Sequence, residues 1–369
     1  MTSNKVKPKA EPVVEIRSQA PTMSDVAKLA GVSPMTVSRV MNGDTNVRDK
    51  TRQRVDAAVA ALNYVPNQAA RRLAGSRPIR VGFLYSNPSA GYLSEFLVGL
   101  LNQASPNNVQ LVVEKCEADE HGIEQARRLI ANGVDGIILP PPLCDTPNLI
   151  DLIVASGTPA VTVACGQPDA RVGGVSIDDF SAAHAMTCHL VSLGHQRIGF
   201  VIGHPNQTAS ARRLAGFKAA IAEKNIPSSP ELIVQGMFTY RSGLDAAEVL
   251  LGLEQRPTAV FASNDDMAAA VVAIAHRLGL DVPGDLTVAG FDDTALASTI
   301  WPELTTVRQP ITDMAAEAVQ FLVHQIRAKR NGEPDAPKHA VIDYKLIRRQ
   351  SDAAPRLRPS TKVVAKPRA

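Results

Sequence analysis

No apolar run in this 369-residue chain approaches the roughly 20 residues that a membrane-spanning helix requires, so no such helix is expected. The opening stretch MTSNKVKPKAEPVVEIRSQAP has no apolar core of the signal-peptide kind, and a cytoplasmic location is the expectation. Four cysteines (Cys116, Cys144, Cys165, Cys188) lie apart without CxxC spacing, which removes the usual dithiol and zinc-ribbon motifs. Reduced, mostly buried thiols are expected instead. GxSxG, GxxxxGK[ST] and a GxGxxG opening the first α/β unit are all missing, so there is no hydrolase elbow, P-loop or dinucleotide fingerprint. No cofactor is expected. Self-similarity of solenoid length is absent too.

Charge is scarce in total but unevenly placed. The net +3 hides a basic front: residues 22–75 carry eight Lys/Arg against four Asp. Residues 1–21 add +2 and residues 353–369 add +5, which leaves 76–352 at −8. A basic front on an acidic body suggests that the front meets a polyanion and the body does not. The Lys/Pro/Glu-rich leader 1–21 and the Pro/Arg/Lys-rich tail 353–369 read as disordered.

Between these ends the chain changes character once. Residues 22–66 read as three short helices punctuated by Gly31 and Asn42-Gly43 and closed by Pro66, and 67–75 has helical spacing again. From Ile79 to about Arg349, buried-strand runs alternate with amphipathic helices. The runs are IRVGFLY (79–85), VQLVVEK (109–115), VDGIILP (134–140), PAVTVA (159–164), RIGFVIG (197–203), TAVFAS (258–263) and LTVAGF (286–291). Strict alternation predicts parallel sheets with right-handed crossovers, and so long a series favours two α/β subdomains with a ligand cleft beyond the strands' carboxyl ends.

The front unit carries the sharpest local pattern. Val26, Ala27, Leu29 and Ala30 form an apolar face on a helix that stops at Gly31. Ser33 can cap the next helix, whose first position is Pro34. Val37 and Val40 face inward there, leaving Met35, Thr36, Ser38 and Arg39 outward at the front of a second helix, as a major-groove reader requires. A third helix within 47–66 packs Val55, Val59 and Leu62 beneath, with Arg48, Lys50, Arg52 and Arg54 solvated and able to reach phosphates. The plainer alternative is a small helical bundle with solvated cations.

The string D-V-A-x-x-A-G-V-S-x-x-T-V-S-R-V-x-N over 25–42, then T-R-x-x-V (51–55) and L-N-Y-x-P-N (62–67), resembles the headpiece of the LacI/GalR family of transcriptional regulators. The resemblance implies that Pro34, Met35 and Arg39 face base edges and that Ser24, Thr36, Ser38, Asn42, Asn46 and Tyr64 contact phosphates. Arg39 suits bidentate reading of a guanine. Pro34-Met35 departs from the family's best-known pattern, an aromatic and an amide, so operator preference does not carry over. NQAARRLAG (67–75) resembles the family's hinge helix, with Asn67, Ala70 and Leu73 at the DNA and Leu73 as a minor-groove wedge. Eight residues fall short of the roughly 12–15 at which an isolated helix becomes marginal, so pairing with a second copy on DNA is expected.

Resemblance continues over 76–350 through SLGHQRIGFVIG (192–203), SARRLAGF (210–217), VFASNDDMAAA (260–270), VAGFDDTALAS (288–298) and LTTVRQP (304–310). It implies an all-α headpiece plus an α/β core of two Rossmann-like, periplasmic-binding-protein-like subdomains, about 79–175 with 310–340 and about 178–308 with 341–350. By motif position the effector contacts are Tyr92, Arg213, Phe238, Asn264 and Asp292, with Asp178, Ser210 and Gln309 behind them. Such side chains suit a polyol: a carboxylate accepts hydroxyl hydrogens, an amide donates and accepts, guanidinium donates in a fork, and aromatic faces cover apolar ones. Ala164 replaces an acidic residue of the family's best-known sugar site.

The resemblance implies a homodimeric repressor on a pseudo-palindromic operator, under a small-molecule effector. A sugar is favoured and a nucleobase stands behind it; inducer and corepressor remain equally open. The tail has no leucine heptads, so a dimer rather than a larger assembly is expected. A free sugar-binding protein would need a secretion signal and no headpiece. An enzyme would draw on Asp178-Asp179, Asp265-Asp266 or Asp292-Asp293, but neighbours on a strand point to opposite faces and make no automatic dyad. His184 and Cys188, at i and i+4, lack a third metal ligand nearby in sequence, and no metal is expected.

Overall fold

The structure, a computed structural model, describes residues 21–41, 47–62, 64, 78–116, 119–334 and 336–356. The chain divides into two compact units between Pro78 and Ile79.

The first unit is built from α1 (Met23–Ala30), α2 (Pro34–Met41) and α3 (Asp49–Ala61). Thr22 and Asp25 close a reciprocal capping box on α1, with Asp25 Oδ2 accepting from Thr22 N at 2.9 Å and Thr22 Oγ1 accepting from Asp25 N at 3.3 Å. Gly31 ends α1 in the left-handed region at φ 62°. Ser33 caps α2 as its sequence suggests, its Oγ accepting from Thr36 N at 3.2 Å. Val26, Ala27, Ala30, Val37, Val40, Val55, Ala58 and Tyr64 form one small core, with Val59 and Leu62 packed partly against it.

Two expectations are corrected here. Leu29 is 56% exposed rather than part of the apolar face. At about 100° per residue, Val26, Ala27 and Ala30 already define the stripe, and Leu29 falls about 105° from its centre. Arg54 is not simply a solvated phosphate ligand: its Nη2 donates to Ala30 O at 2.5 Å and Gly31 O at 3.2 Å, satisfying the last carbonyls of α1.

The second unit holds two six-stranded sheets. The first lobe contains β1 (Ile79–Tyr85), α4 (Ala90–Ala104), β2 (Val109–Lys115), α5 (Glu120–Ala131), β3 (Gly136–Leu139), α6 (Pro147–Ala155), β4 (Ala160–Val163) and β5 (Gly173–Ser176). The second lobe contains α7 (Asp179–Ser192), β6 (Ile198–Ile202), α8 (Thr208–Glu223), β7 (Ile233–Gln235), α9 (Tyr240–Gly252), β8 (Ala259–Ala262), α10 (Asp265–Arg277), β9 (Thr287–Asp292), α11 (Ala295–Thr299) and β10 (Thr305–Arg308). The chain then returns to the first lobe through α12 (Ile311–Asn331) and β11 (His339–Val341), and ends in the second with β12 (Lys345–Ile347).

Strand orders are β11-β5-β4-β3-β1-β2 and β12-β10-β9-β8-β6-β7. Every pairing is parallel except β12 on β10. Every residue of β3, β4, β8 and β9 is buried, as helix-covered parallel strands must be. The five strands beyond the seven runs read from the sequence (β5, β7, β10, β11 and β12) are three or four residues long. That is too short to establish a period of two, and β5 opens with two glycines. Three crossings join the lobes, at 177–178, 309–310 and 342–344.

α12 packs against α4 and against β3, β4 and β5, so it covers the first sheet although its sequence follows the second. Gly99 makes that packing possible: a Cβ there would lie 2.4 Å from Thr312 O and 2.7 Å from Ala315 Cβ. No helix of the described residues is long and apolar enough to cross a membrane. Gly99→Ala should therefore overpack the α4–α12 contact and cost about 1–3 kcal/mol, read as a lowered urea midpoint of the core unit. An unchanged midpoint would show that the helices are not in this contact.

Candidate functional site

The residues around a small cavity in the cleft share one topological origin. Asn87, Pro88 and Ser89 follow β1, Pro141 follows β3 and Ala164 follows β4. From the second lobe, Gln207 and Ala209 follow β6, Phe238 follows β7, Asn264 follows β8, Asp292 ends β9 and Gln309 follows β10. Tyr92 from the first turn of α4 and Arg213 from α8 complete the wall. The cavity thus sits at the carboxyl ends of both sheets, where crossovers diverge and leave a crevice. Its volume, about 30 Å³, is one water's worth, so entry of anything larger requires the lobes or side chains to move. A wider space of about 590 Å³ adjoins it through Pro88 and Gln207 and reaches Asp145, His204 and Met237.

Six of the eight residues singled out by resemblance lie on this wall: Tyr92, Arg213, Phe238, Asn264, Asp292 and Gln309. Asp178 does not line this cavity; it caps α7, accepting from Ser181 N at 3.1 Å and Ser181 Oγ at 2.6 Å and facing Arg212 at 3.4 Å. Ser210 is buried on α8 beside the wall but not on it, and its hydroxyl has no hydrogen-bond partner. Asn87, Pro88, Ser89, Pro141, Gln207 and Ala209 were not foreseen. Their only signal is their place just after a strand, which names a region rather than a residue type.

The centre of the wall is electrostatic. Arg213 is buried, lies 3.6 Å over the Phe291 ring, and donates through Nε to Asp179 Oδ1 at 2.7 Å and through Nη1 to Ser263 O at 2.6 Å. Asp292 Oδ1 stands 3.7 Å from the same Nη1 and accepts from Gln309 Nε2 at 2.6 Å. Burial pushes the Asp292 carboxyl up to about 7, against the pull of Arg213 and Gln309. Burial also raises Asp179, and raises Asp265 well above the carboxylate range with Asp292 adding to it. Asp265 is held by Thr294 N at 2.8 Å and Thr306 Oγ1 at 2.7 Å, so it ties α10 to the start of α11 and to β10. Asn264 caps α10 by accepting from Met267 N at 3.0 Å, and its amide donates to Phe238 O at 3.1 Å.

Two wall atoms are buried without a hydrogen-bond partner, Tyr92 Oη and Gln309 Oε1. Leaving a buried polar atom unmade costs about 1–3 kcal/mol, which points to a ligand that supplies the missing bonds. Three wall residues also hold backbone conformations unusual for non-glycine residues: Ala164 at φ 53°, Phe238 at φ 58° and Asp292 at φ 110°.

Metal-ligating side chains meet in two places among the described residues. The fold supplies the third partner that the sequence left wanting for His184 and Cys188: Glu223 Oε2 lies 2.8 Å from His184 Nε2, and Cys188 Sγ 3.7 Å from His184 Nδ1. These partners use opposite ring nitrogens, so no single ion is served by the set as it stands. The other group is Cys144, Asp145 and Cys165.

In the headpiece, Val37 and Val40 are buried while Pro34, Met35 and Arg39 are exposed on α2, Met35 by 67%. Ser24 is exposed, Thr36 and Ser38 are half-buried, and the Tyr64 ring belongs to the core. Asn42, Asn46, Asn67, Ala70 and Leu73 lie outside the described residues.

A helix-turn-helix unit and a two-lobed parallel α/β core in one chain define a class of DNA-binding regulators with a periplasmic-binding-protein-like core. The family model "Bacterial regulatory proteins, lacI family" matches residues 22–67, and "Periplasmic binding protein-like domain" matches 187–351. Catabolite control protein A of Priestia megaterium is 34% identical over 82% of this chain and 91% of its own length. The transcriptional regulator DegA of Bacillus subtilis is 34% identical over 89% of this chain and 97% of its own. Among solved structures, the lac repressor dimer bound to operator and an anti-inducer aligns with a TM-score of 0.71 at 28% identity, covering 91% of this chain and 100% of that one. The transcriptional regulator CelR with cellobiose aligns at 0.69 and 31% identity, covering 90% and 99%. The chain belongs to the LacI family: it is a DNA-binding transcriptional regulator, and its relatives are regulators rather than enzymes.

Because the folded-state value of Asp292 lies above that of an unfolded carboxyl, its contribution to stability is present in full below about pH 4 and is lost as pH rises through about 7. Asp292→Asn should flatten the fall in core stability between about pH 5 and pH 7.5. Carboxyl NMR should show one group titrating near 7 that this variant lacks; a carboxylate range of ordinary values throughout would contradict the buried placement.

Proposed function

We propose that this regulator is a repressor that binds a pseudo-palindromic operator as a homodimer and is governed by a sugar or sugar derivative held in the cleft. The observation that carries the ligand is the pair of orphaned atoms, Tyr92 Oη and Gln309 Oε1, on a wall that also offers Arg213, Asn264 and Asp292. Hydroxyl groups fit that set because each can donate to a carboxylate or amide oxygen and accept from a phenol. The Phe238 ring offers an apolar face for the C–H side of a sugar ring. Solved CelR carries cellobiose, and a relative 30% identical over 83% of this chain is the ribose operon repressor of Haemophilus influenzae.

For the dimer, α4 leaves Val98 and Leu101 exposed three residues apart, Leu101 by 60%, and the edge strand β2 leaves Val113 exposed. An exposed apolar helix face and an unpaired strand edge are both features that soluble chains cover. The lac repressor neighbour was solved as a dimer on its operator. On DNA, α2 would present Met35 and Arg39 to base edges, with the wedge expected of Leu73 between the paired copies. The effector would change the lobe arrangement and shift DNA affinity by the 1–3 kcal/mol usual in allosteric coupling.

Operator selection and effector response separate the two halves of this reading. Arg39→Ala should lose about 1–3 kcal/mol of preference for operator over scrambled duplex in fluorescence anisotropy, with ligand binding intact. Undiminished selectivity would remove α2 from the groove. A thermal-shift screen of mono- and disaccharides on the full chain identifies the effector. Asp292→Ala should then abolish its effect on operator affinity while basal DNA binding persists, and a wild-type response would place the ligand elsewhere.

A further inference from the structure

Behind the cavity wall lies a group of side chains that the regulatory reading does not use. Cys165 follows the wall residue Ala164, and Cys144 sits in the loop after β3; both thiols are buried. Asp145 stands between them, with Oδ1 3.2 Å from Cys165 Sγ and Oδ2 3.7 Å from Cys144 Sγ. The three ligand atoms lie within 4.8 Å of one another. All three residues belong to the first lobe. The remaining side is closed from the second lobe by Thr208, the first residue of α8. Its Oγ1 donates to Asp145 Oδ1 at 2.6 Å and lies 3.7 Å from Cys165 Sγ, and its N–H donates to Asp145 Oδ2 at 3.1 Å.

Asp145 takes its strong hydrogen bonds from Thr208, and the two thiols, weak donors, add little to them. A soft cation uses the same set well. With sulfur at about 2.3 Å and oxygen at about 2.0–2.2 Å from a tetrahedral ion, neighbouring ligands stand about 3.5–3.8 Å apart; here the two sulfurs lie 3.2 and 3.7 Å from the two Asp145 oxygens, and all three ligand atoms fall within 4.8 Å. Magnesium and calcium call for all-oxygen sites, which two thiolates do not provide. A path exists, because Asp145 also borders the 590 Å³ space at the cleft mouth.

We propose that Cys144, Asp145 and Cys165 form a site for a thiophilic divalent cation of the zinc type, completed by Thr208 from the opposite lobe. Each thiol releases its proton on ligation, and the ion takes the two sulfurs and one carboxylate oxygen. Because the fourth side comes from α8, the site is whole only when the lobes are together. The ion and lobe closure therefore favour one another, and by reciprocity the ion changes the affinity of whatever the neighbouring cavity holds.

The test uses the full chain, reduced and metal-free, titrated anaerobically with Co²⁺ and then Zn²⁺. Expected is a thiolate-to-cobalt charge-transfer band that saturates at a single ion per chain and is displaced by Zn²⁺. It should vanish in Cys165→Ser and Cys144→Ser, persist in Cys188→Ser, and need about tenfold more metal in Thr208→Ala. No band in the wild type, or a band that survives Cys165→Ser and disappears in Cys188→Ser, would overturn the assignment, the latter moving the ion to His184 and Glu223. Should the serine variants not fold, the wild type decides: Zn²⁺ should slow alkylation of Cys144 and Cys165 in peptide mass mapping but leave Cys188 unchanged. Equal labelling with and without Zn²⁺ would likewise refute it.

Discussion

The buried guanidinium of Arg213 is the interaction on which the cleft depends. It draws Asp179 at the start of α7, Ser263 at the end of β8 and Asp292 at the end of β9 to one point, over the ring of Phe291. Removing one member of such a set leaves a buried charge uncompensated, which typically costs about 3–5 kcal/mol. The elements are therefore held in register by charge satisfaction as much as by apolar packing. The same crowding makes Asp292 sensitive to its surroundings, since its carboxyl shares the site with Asp179 and lies near Asp265.

Around that fixed centre the wall is incompletely satisfied. Tyr92 and Gln309 keep unmade hydrogen bonds, and Ala164, Phe238 and Asp292 hold left-handed backbone conformations. The apolar packing of the sheets sustains these local costs, because the central strands are buried along their whole length. The second lobe supplies the charged groups of the wall and the first supplies Tyr92 with the loops after β1, β3 and β4. A site divided in this way makes ligand contact and lobe arrangement a single event. Across the cleft, Asp145 with Thr208 adds direct polar contacts between the lobes.

Much of the fold was legible because its signals are local. Helix stops at Gly31, the Ser33-Pro34 start and buried β-branched runs each follow from neighbouring residues. Leu29 misled because its type is apolar while its angular position lies off the stripe. The strands β7, β11 and β12 had no legible pattern, being three residues long and defined only by the partner they pair with. Arg54 looked like its solvated neighbours, yet from 23 or more residues away it meets the carbonyls of α1. The candidate site was legible where motif positions named a side chain, as for Asp292 and Arg213. Asp178 stands apart from those residues, off the cavity wall and capping a helix start with its carboxylate.

The sequence by itself determined the two-part organisation, the reading helix with Val37 and Val40 inward, and the alternation that makes parallel sheets, because hydrophobic period and capping act over a few residues. Family membership was legible in the same way, from long motifs read in order. Only the tertiary structure decided which polar atoms are left without partners, and that Cys144, Asp145, Cys165 and Thr208 converge. Those outcomes depend on contacts between segments tens of residues apart, and the chain's return through three crossings brings them together without leaving a local trace.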